Sequence, residues 1–343
     1  MKWFNFFSQE LAIDLGTANT LIMQNDQIVI DEPSIVAINR KTGETIAVGS
    51  RAMQMHEKTH ENIKTVRPLK DGVIADFQAA EKLIEGLINM IGTKRSFFTH
   101  LKMVICIPSG ITEVEKRAVF DSADHVDSKE TYLIHEPMAA ALGIGLDVEE
   151  PVGHIIIDIG GGTTEIAVIA MSGIVTDQSI RTAGDEFNYD IMEYMKRAHN
   201  ILIGERTAEQ LKINVGSALK QLEVAPDDYP VNGRDLMTGI PKQITVDHAE
   251  IATALDKSIS KIEDAILKAL ESTPPELAAD IYKNGLHLTG GGALLRGLDK
   301  RISAKTKLPV KVVDDPLRAV VRGTGLALKN SDRYSFLIDR KSV

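Results

Sequence analysis

The strongest constraint on this chain is a segment pattern that occurs twice. Leu11-Ala12-Ile13-Asp14-Leu15-Gly16-Thr17-Ala18-Asn19-Thr20-Leu21-Ile22 is echoed by Ile155-Ile156-Ile157-Asp158-Ile159-Gly160-Gly161-Gly162-Thr163-Thr164-Glu165-Ile166. Each reads as an apolar strand ending near an aspartate, a turn of glycine and threonine, and a second apolar strand, which is a β-hairpin. A turn without bulky side chains leaves its backbone N–H groups free to surround a phosphate. An aspartate at the end of an apolar strand is costly to bury unless positive charge meets it. Mg²⁺ bridged by water between phosphates and the two carboxylates supplies that charge. One such hairpin alone reads as a structural Gly-rich turn; the matched pair points to a ligand. Asp14 and Asp158 lie 144 positions apart in a chain of 343 residues, which predicts a duplicated domain with a cleft between the halves.

The segments after each hairpin turn helical. Thr112 with Glu115 forms a capping box for a helix running toward Ala123, and Asp247 with Glu250 forms another. That second box is followed by Ile251, Leu255, Ile259, Ile262, Ile266 and Leu270 at helical spacing, until Pro274-Pro275 ends the run. Thr207 with Gln210 predicts a helix carrying Leu211, Val215, Leu219 and Leu222 along one face. Strands alternating with helices predict an α/β fold. Leu288-Thr289-Gly290-Gly291-Gly292-Ala293-Leu294 is a third glycine cluster, between a strand and a helix, where anions are favoured.

Composition narrows the partners. A net charge of −9 argues against a phosphate-tracking nucleic-acid binder, which carries a basic face. The single Cys106 excludes an internal disulfide and, inside Val104-Ile105-Cys106-Ile107, reads as a buried structural thiol. No signal peptide and no run of 18 apolar residues is found, so the expectation is a soluble chain in the cytosol.

In this order, Asp-Leu-Gly-Thr, Asp-Ile-Gly-Gly-Gly-Thr and Thr-Gly-Gly-Gly resemble the actin, DnaK-chaperone and sugar-kinase superfamily. Within it, Asp14–Thr20, His135-Glu136-Pro137-Met138-Ala139-Ala140-Ala141, Gly204-Glu205-Arg206-Thr207-Ala208-Glu209 and Gly290–Leu294 resemble the MreB family of bacterial filament proteins. The resemblance covers nearly all of residues 10–330. It implies an actin-like ATPase fold, with two duplicated α/β domains around a nucleotide cleft and a smaller subdomain on each. Domain I is then 1–145 plus 316–330, with a subdomain near 32–65. Domain II is 146–315, with a subdomain near 182–247, and 331–343 is a flexible tail. ATP with Mg²⁺ is the implied ligand. Thr17, Ala18 and Asn19 face the phosphates from one side and Gly160, Gly161, Gly162 and Thr163 from the other, with Asp14 and Asp158 organising the metal mostly through water. Glu209 and Lys212 reach the ribose and adenine, where the residues alone read as a surface ion pair. Gly290, Gly291, Gly292 and Ala293 pack on the adenosine. Glu136 orients the water for hydrolysis, where the residues alone also allow a helix-capping role beside Pro137. The segment after Asp315, with Gly323-Thr324-Gly325, resembles a second crossover helix between the domains.

The chain's edges carry aromatic residues. Trp3, Phe4, Phe6 and Phe7 fall on one helical arc of roughly 160° with Leu11, opposite Lys2, Asn5, Ser8 and Gln9. Phe97 and Phe98 sit among Lys94, Arg95, His100 and Lys102. Both read either as membrane-inserting edges or as ordinary packing. The resemblance implies self-assembly into filaments on the inner face of the cytoplasmic membrane, with membrane-bound cell-wall elongation proteins as partners and no nucleic acid. It implies weak ATP hydrolysis coupled to assembly, and a part in organising cell-wall synthesis and rod shape. A small-molecule kinase of the same superfamily needs a substrate-binding insertion that is not evident, and a DnaK-like chaperone needs a substrate domain after residue 330.

Overall fold

The computed structural model describes residues 8–92, 100–126 and 128–340. The two repeated hairpins nucleate two sheets built to one plan. In the first, the strands run in the order Gln27–Pro33, Asn19–Gln24, Ser8–Leu15, His100–Ile107, Ser128–His135. In the second, the order is Gly173–Ile180, Thr164–Ala170, His154–Ile159, Leu286–Thr289, Val310–Val312. Each is a three-stranded antiparallel meander to which two strands are added in parallel. Parallel neighbours need crossover connections, and the intervening helices supply them.

Alternation along the strands explains the layers. Ile155, Ile157 and Ile159 pack with Phe187 and Ile191 of helix Gly184–His199 and with Ile259 and Ile262 of helix His248–Glu271, while Ile156 faces the other way. With both faces covered, the strands read as continuous apolar runs, not as alternating ones. Leu11 and Ile13 likewise meet Leu83 and Leu87 of helix Phe77–Met90, and Ala12 points to the opposite face.

Between the two sheets lie helices Glu136–Gly143 and Ala319–Lys329. Their residues share one apolar cluster with Ala12, Val104 and Ile134 of the first sheet and Ile156, Ala167 and Ile169 of the second. The two helices cross at Gly143 and Gly323. A Cβ on Gly143 would strike the Ala319 carbonyl, and one on Gly323 the Ala139 carbonyl. Glycine is required there because backbone touches backbone.

Two three-stranded sheets are appended. Val36–Asn39, Thr45–Val48 and Ile63–Val66 close over Ile35, Ala37, Ala47 and Ala52. Ile201–Leu202, Tyr229–Asp235 and Pro241–Val246 form the other. Both expected capping boxes are made, at Thr112/Glu115 and Asp247/Glu250. The helix expected over 207–222 instead spans Glu205–Val215 and stops at Gly216, so Leu219 and Leu222 lie beyond it. A Cβ at Gly216 would meet the Lys212 carbonyl, and the chain turns there into a bend held by the Ser217 hydroxyl. Within the segment expected to be a flexible tail, the described residues join the fold. Ile338–Arg340 pairs antiparallel with Ser128–His135, and Tyr334, Leu337 and Ile338 pack on the central cluster, since their apolar side chains cover an otherwise open sheet edge. Among the described residues, no helix is long and apolar enough to cross a membrane.

Candidate functional site

The two glycine-threonine turns face each other across one cleft. The first is braced from below: the Ser34 hydroxyl donates to the Gly16 carbonyl, the Ser34 N–H donates to the Ala18 carbonyl at 2.9 Å, and the Thr20 and Ser34 hydroxyls share a hydrogen bond of 2.8 Å. The second closes on itself through Gly160 N–H to the Thr163 carbonyl at 2.9 Å. Its Gly160 and Gly161 carbonyls accept from Gly184 and Asp185 at the start of helix Gly184–His199, which anchors that helix to the turn. A side chain on Gly161 would collide with Ala18, and one on Gly162 with the Thr17 hydroxyl. That hydroxyl accepts from Gly72 N–H at 3.0 Å, so a third segment joins the two turns.

The cleft holds about 760 Å³, the size of a small-molecule site. It is lined by Asp14, Thr17, Ala18, Asn19, Glu136, Asp158, Gly160, Gly161, Gly162 and Thr163 at one end. Glu209, Lys212, Gly290, Gly291 and Gly292 also line it. Ala293 does not: it is 3% exposed and packs in the core, and Leu294 and Leu295 line the cleft in its place. The short 3₁₀ turn Gly291–Leu294 rotates the alanine inward. Trp3, Phe4, Phe6, Phe7, Phe97 and Phe98 lie outside the described residues.

The electrostatics of the floor are unusual. Burial lifts Asp14 to about 6, opposed by a hydrogen bond from the Cys106 thiol at 3.1 Å. Burial and then the Asp14 charge lift Asp158 to about 7, against a bond donated by the Thr289 hydroxyl at 3.0 Å. Burial, then Glu165, Asp14 and Asp158 push Glu136 well above the usual carboxylate range. Cys106 is a buried thiol, also pushed up, first by burial. Among the described residues neither Asp14 nor Asp158 is ion-paired, and no three acidic, histidine or cysteine side chains converge into a metal cage of their own. The floor therefore carries carboxyl groups whose ionised form a cation would stabilise, and oxygen donors of this kind suit a hard divalent ion.

Glu209 and Lys212 do form an i, i+3 ion pair of 2.7 Å, yet both face the cleft, and Lys212 also donates to the Gly184 carbonyl at 3.0 Å. Helix Glu136–Gly143 begins with Glu136 and carries Pro137 in its first turn, while its N-cap, His135, makes no side-chain cap.

Some contributors escaped the sequence reading. Glu165 is 1% exposed and accepts from the Ser109 N–H at 3.1 Å, from the Ser109 hydroxyl, and from the Ser179 hydroxyl at 2.6 Å. It ties the turn after the first sheet's strand His100–Ile107 to the second sheet. Its signal was present, because Glu165 stands where the first repeat has Leu21, and a charge inside an apolar strand needs a reason. Arg67 reaches across the cleft to Glu205 at 2.7 Å and Asp185 at 3.6 Å, with His56 also beside Glu205 at 3.7 Å. Asn188, 2% exposed, lines the cleft beside Glu209.

Known proteins resemble this chain in sequence and in fold. A family model described as MreB/Mbl protein matches residues 8–335. The chain is 45% identical over 328 residues to the cell shape-determining protein Mbl of Bacillus cereus, covering 95% of this chain and 98% of that one. It is 45% identical over 338 residues to the cell shape-determining protein MreB of Escherichia coli, covering 97% of each. Among solved structures, MreB5 of Spiroplasma citri bound to AMPPNP superposes with a TM-score of 0.89 at 38% identity, covering 96% of this chain and 98% of that one. A MamK chain from a double helical filament superposes at 0.76 with 21% identity, covering 95% and 99%, a likeness of fold.

Proposed function

The chain belongs to the MreB/Mbl family and has the actin-like fold, and on that premise we propose that it is a nucleotide-dependent, filament-forming protein that determines cell shape. One observation carries this reading. Two matched glycine-threonine turns line one cleft, each following a buried aspartate with no cationic partner among the described residues. A nucleoside triphosphate with Mg²⁺ fits that arrangement. Thr17–Asn19 and Gly160–Thr163 cradle the phosphates, and Asp14 and Asp158 hold the metal, largely through water. Bound Mg²⁺ neutralises phosphate charge. Glu209 and Lys212 take the sugar and base, with Gly290–Gly292 against the nucleoside. Glu136 orients the hydrolytic water. Burial and the neighbouring carboxylates push its carboxyl up, and positive charge in the cleft would oppose that shift. Domain I comprises 1–145 and 316–330, with domain II as 146–315. The helix pair Glu136–Gly143 and Ala319–Lys329 between the sheets carries closure of the cleft into the surfaces that copies use to assemble. Filaments attach to the inner face of the cytoplasmic membrane through Trp3, Phe4, Phe6, Phe7, Phe97 and Phe98, and there organise wall-elongation proteins.

Sedimentation of the purified chain tests this reading. Pelleting should rise with Mg²⁺-ATP and stay low with EDTA. Glu136→Ala should still pellet while phosphate release falls about tenfold or more, the scale of one lost acid–base group. Identical pelleting with Mg²⁺-ATP and with EDTA would overturn the nucleotide-driven reading.

A further inference from the structure

Glu209 is not held by Lys212 alone. The Asn188 side-chain amide donates to the same Glu209 oxygen, Oε2, that Lys212 Nζ reaches, and both distances are 2.7 Å. A carboxylate oxygen only accepts, so the Asn188 nitrogen must face it and the amide oxygen must face away. That oxygen, Oδ1, is buried and has no hydrogen-bond partner among the described residues. An orphaned buried acceptor costs about as much as a lost hydrogen bond, and it persists where a ligand supplies the donor. Asn188 is 2% exposed and lines the cleft, as do Phe187 and Glu209. Helix Gly184–His199, which carries it, is pinned at its N-terminus to the second glycine turn by the Gly160 and Gly161 carbonyls. The acceptor is therefore set at a fixed place relative to the phosphate end.

We propose that Asn188 is a specificity-determining residue that, together with Glu209, recognises the vicinal hydroxyls of a ribose and so selects ribonucleotides over deoxyribonucleotides. The inference rests on the nucleotide reading of the cleft and adds to it the sugar class and the residue that discriminates. Glu209 and Asn188 Oδ1 are two acceptors joined by the Asn188 amide itself. A cis-diol offers two donors, one for each. A sugar that lacks one hydroxyl leaves one acceptor buried and unpaired. Discrimination then arises from the penalty on the wrong ligand. The ion pair with Lys212 orients Glu209, and Lys212 needs no contact with the sugar for this role.

Calorimetry on the full chain with Mg²⁺-ATP, Mg²⁺-2′-deoxyATP and Mg²⁺-3′-deoxyATP reads the proposal. Wild type should bind ATP about fivefold to tenfold more tightly than at least one deoxy analogue, the scale of one neutral hydrogen bond. Which analogue loses more identifies the hydroxyl that Asn188 holds. Asn188→Leu, which keeps the branching at Cγ and removes both polar atoms, should weaken ATP and leave that analogue nearly unchanged, collapsing the ratio toward one. Asn188→Asp keeps the acceptor but sets a second carboxylate against Glu209, and should retain more of the preference than Asn188→Leu. Equal wild-type affinity for all three nucleotides overturns this inference and leaves the nucleotide cleft standing, without recourse to a variant. So does an undiminished ratio in folded Asn188→Leu. Binding of no nucleotide by wild type removes the cleft reading itself.

Discussion

On the proposed reading, Asp158 trades stability for binding. A carboxyl whose pKa is raised on folding holds its proton more tightly in the folded chain. The stability it contributes is complete below about pH 4 and is lost as pH rises through the folded value. For Asp14 and Asp158 that loss falls between about pH 4 and 7, since burial lifts them to about 6 and about 7. Above that window the ligand-free protein carries unpaired buried charge. Asp158→Asn should therefore melt about 2–5 °C higher than wild type at pH 8 without nucleotide, and show little difference at pH 4. The same variant should bind Mg²⁺-ATP at least tenfold more weakly, because the carboxylate proposed to hold the cation is gone. Thermal scans at both pH values with calorimetry check this. A stability difference independent of pH would show that buried charge at Asp158 is not the cause.

At the scale of elements, the two central helices depend on glycine where they cross. A methyl on Gly323 would enter the Ala139 carbonyl and press on the Gly143 amide, both of them backbone. Neither helix can yield without leaving the apolar cluster it shares with both sheets. Gly323→Ala should therefore cost about 2–4 kcal/mol, at or above the upper range for overpacking. Gly173→Ala, whose added carbon meets only the Ala170 carbonyl at 3.8 Å, serves as the control. Denaturant unfolding of the two variants measures the difference, and equal midpoints would mean that the crossing has slack. These helices were partly legible. Pro137 and the apolar run after it indicate the first, but nothing local in Gly323-Thr324-Gly325 says which backbone it meets.

For the whole molecule, assembly and membrane attachment should be linked. A buried Phe contributes roughly 1.5–3 kcal/mol, and seating in a lipid interface recovers only part of it. On the proposed reading, one copy with a few such residues would bind weakly, while a filament would repeat the edge and make each later contact effectively intramolecular. Wild type should co-pellet with anionic liposomes far better with Mg²⁺-ATP than with EDTA. Deleting residues 2–7 together with Phe97→Ala and Phe98→Ala should abolish co-pelleting and leave nucleotide affinity unchanged. Retained co-pelleting in the combined variant would assign those aromatic residues to packing.

The amino-acid sequence by itself determined the duplicated hairpins, the glycine turns, both capping boxes and the α/β class, because each is written in neighbours a few positions apart. Strand alternation, turn chemistry and capping are local physics, and the two Asp-Gly-Thr segments declare their kinship without any contact between them. The tertiary structure alone decided where helix Glu205–Val215 stops, since Gly216 yields there to a bend that Ser217 holds. It alone decided that Ile338–Arg340 closes a sheet edge, that Ala293 turns inward, and that Arg67 spans the cleft to Glu205. It also decided the company of Glu165, whose partner Ser109 lies 56 positions away. Such pairs leave no periodic mark on the sequence. Each is fixed by the docking of two elements whose own formation does not depend on the contact, and the energy of a buried carboxylate is set by neighbours that only docking brings near.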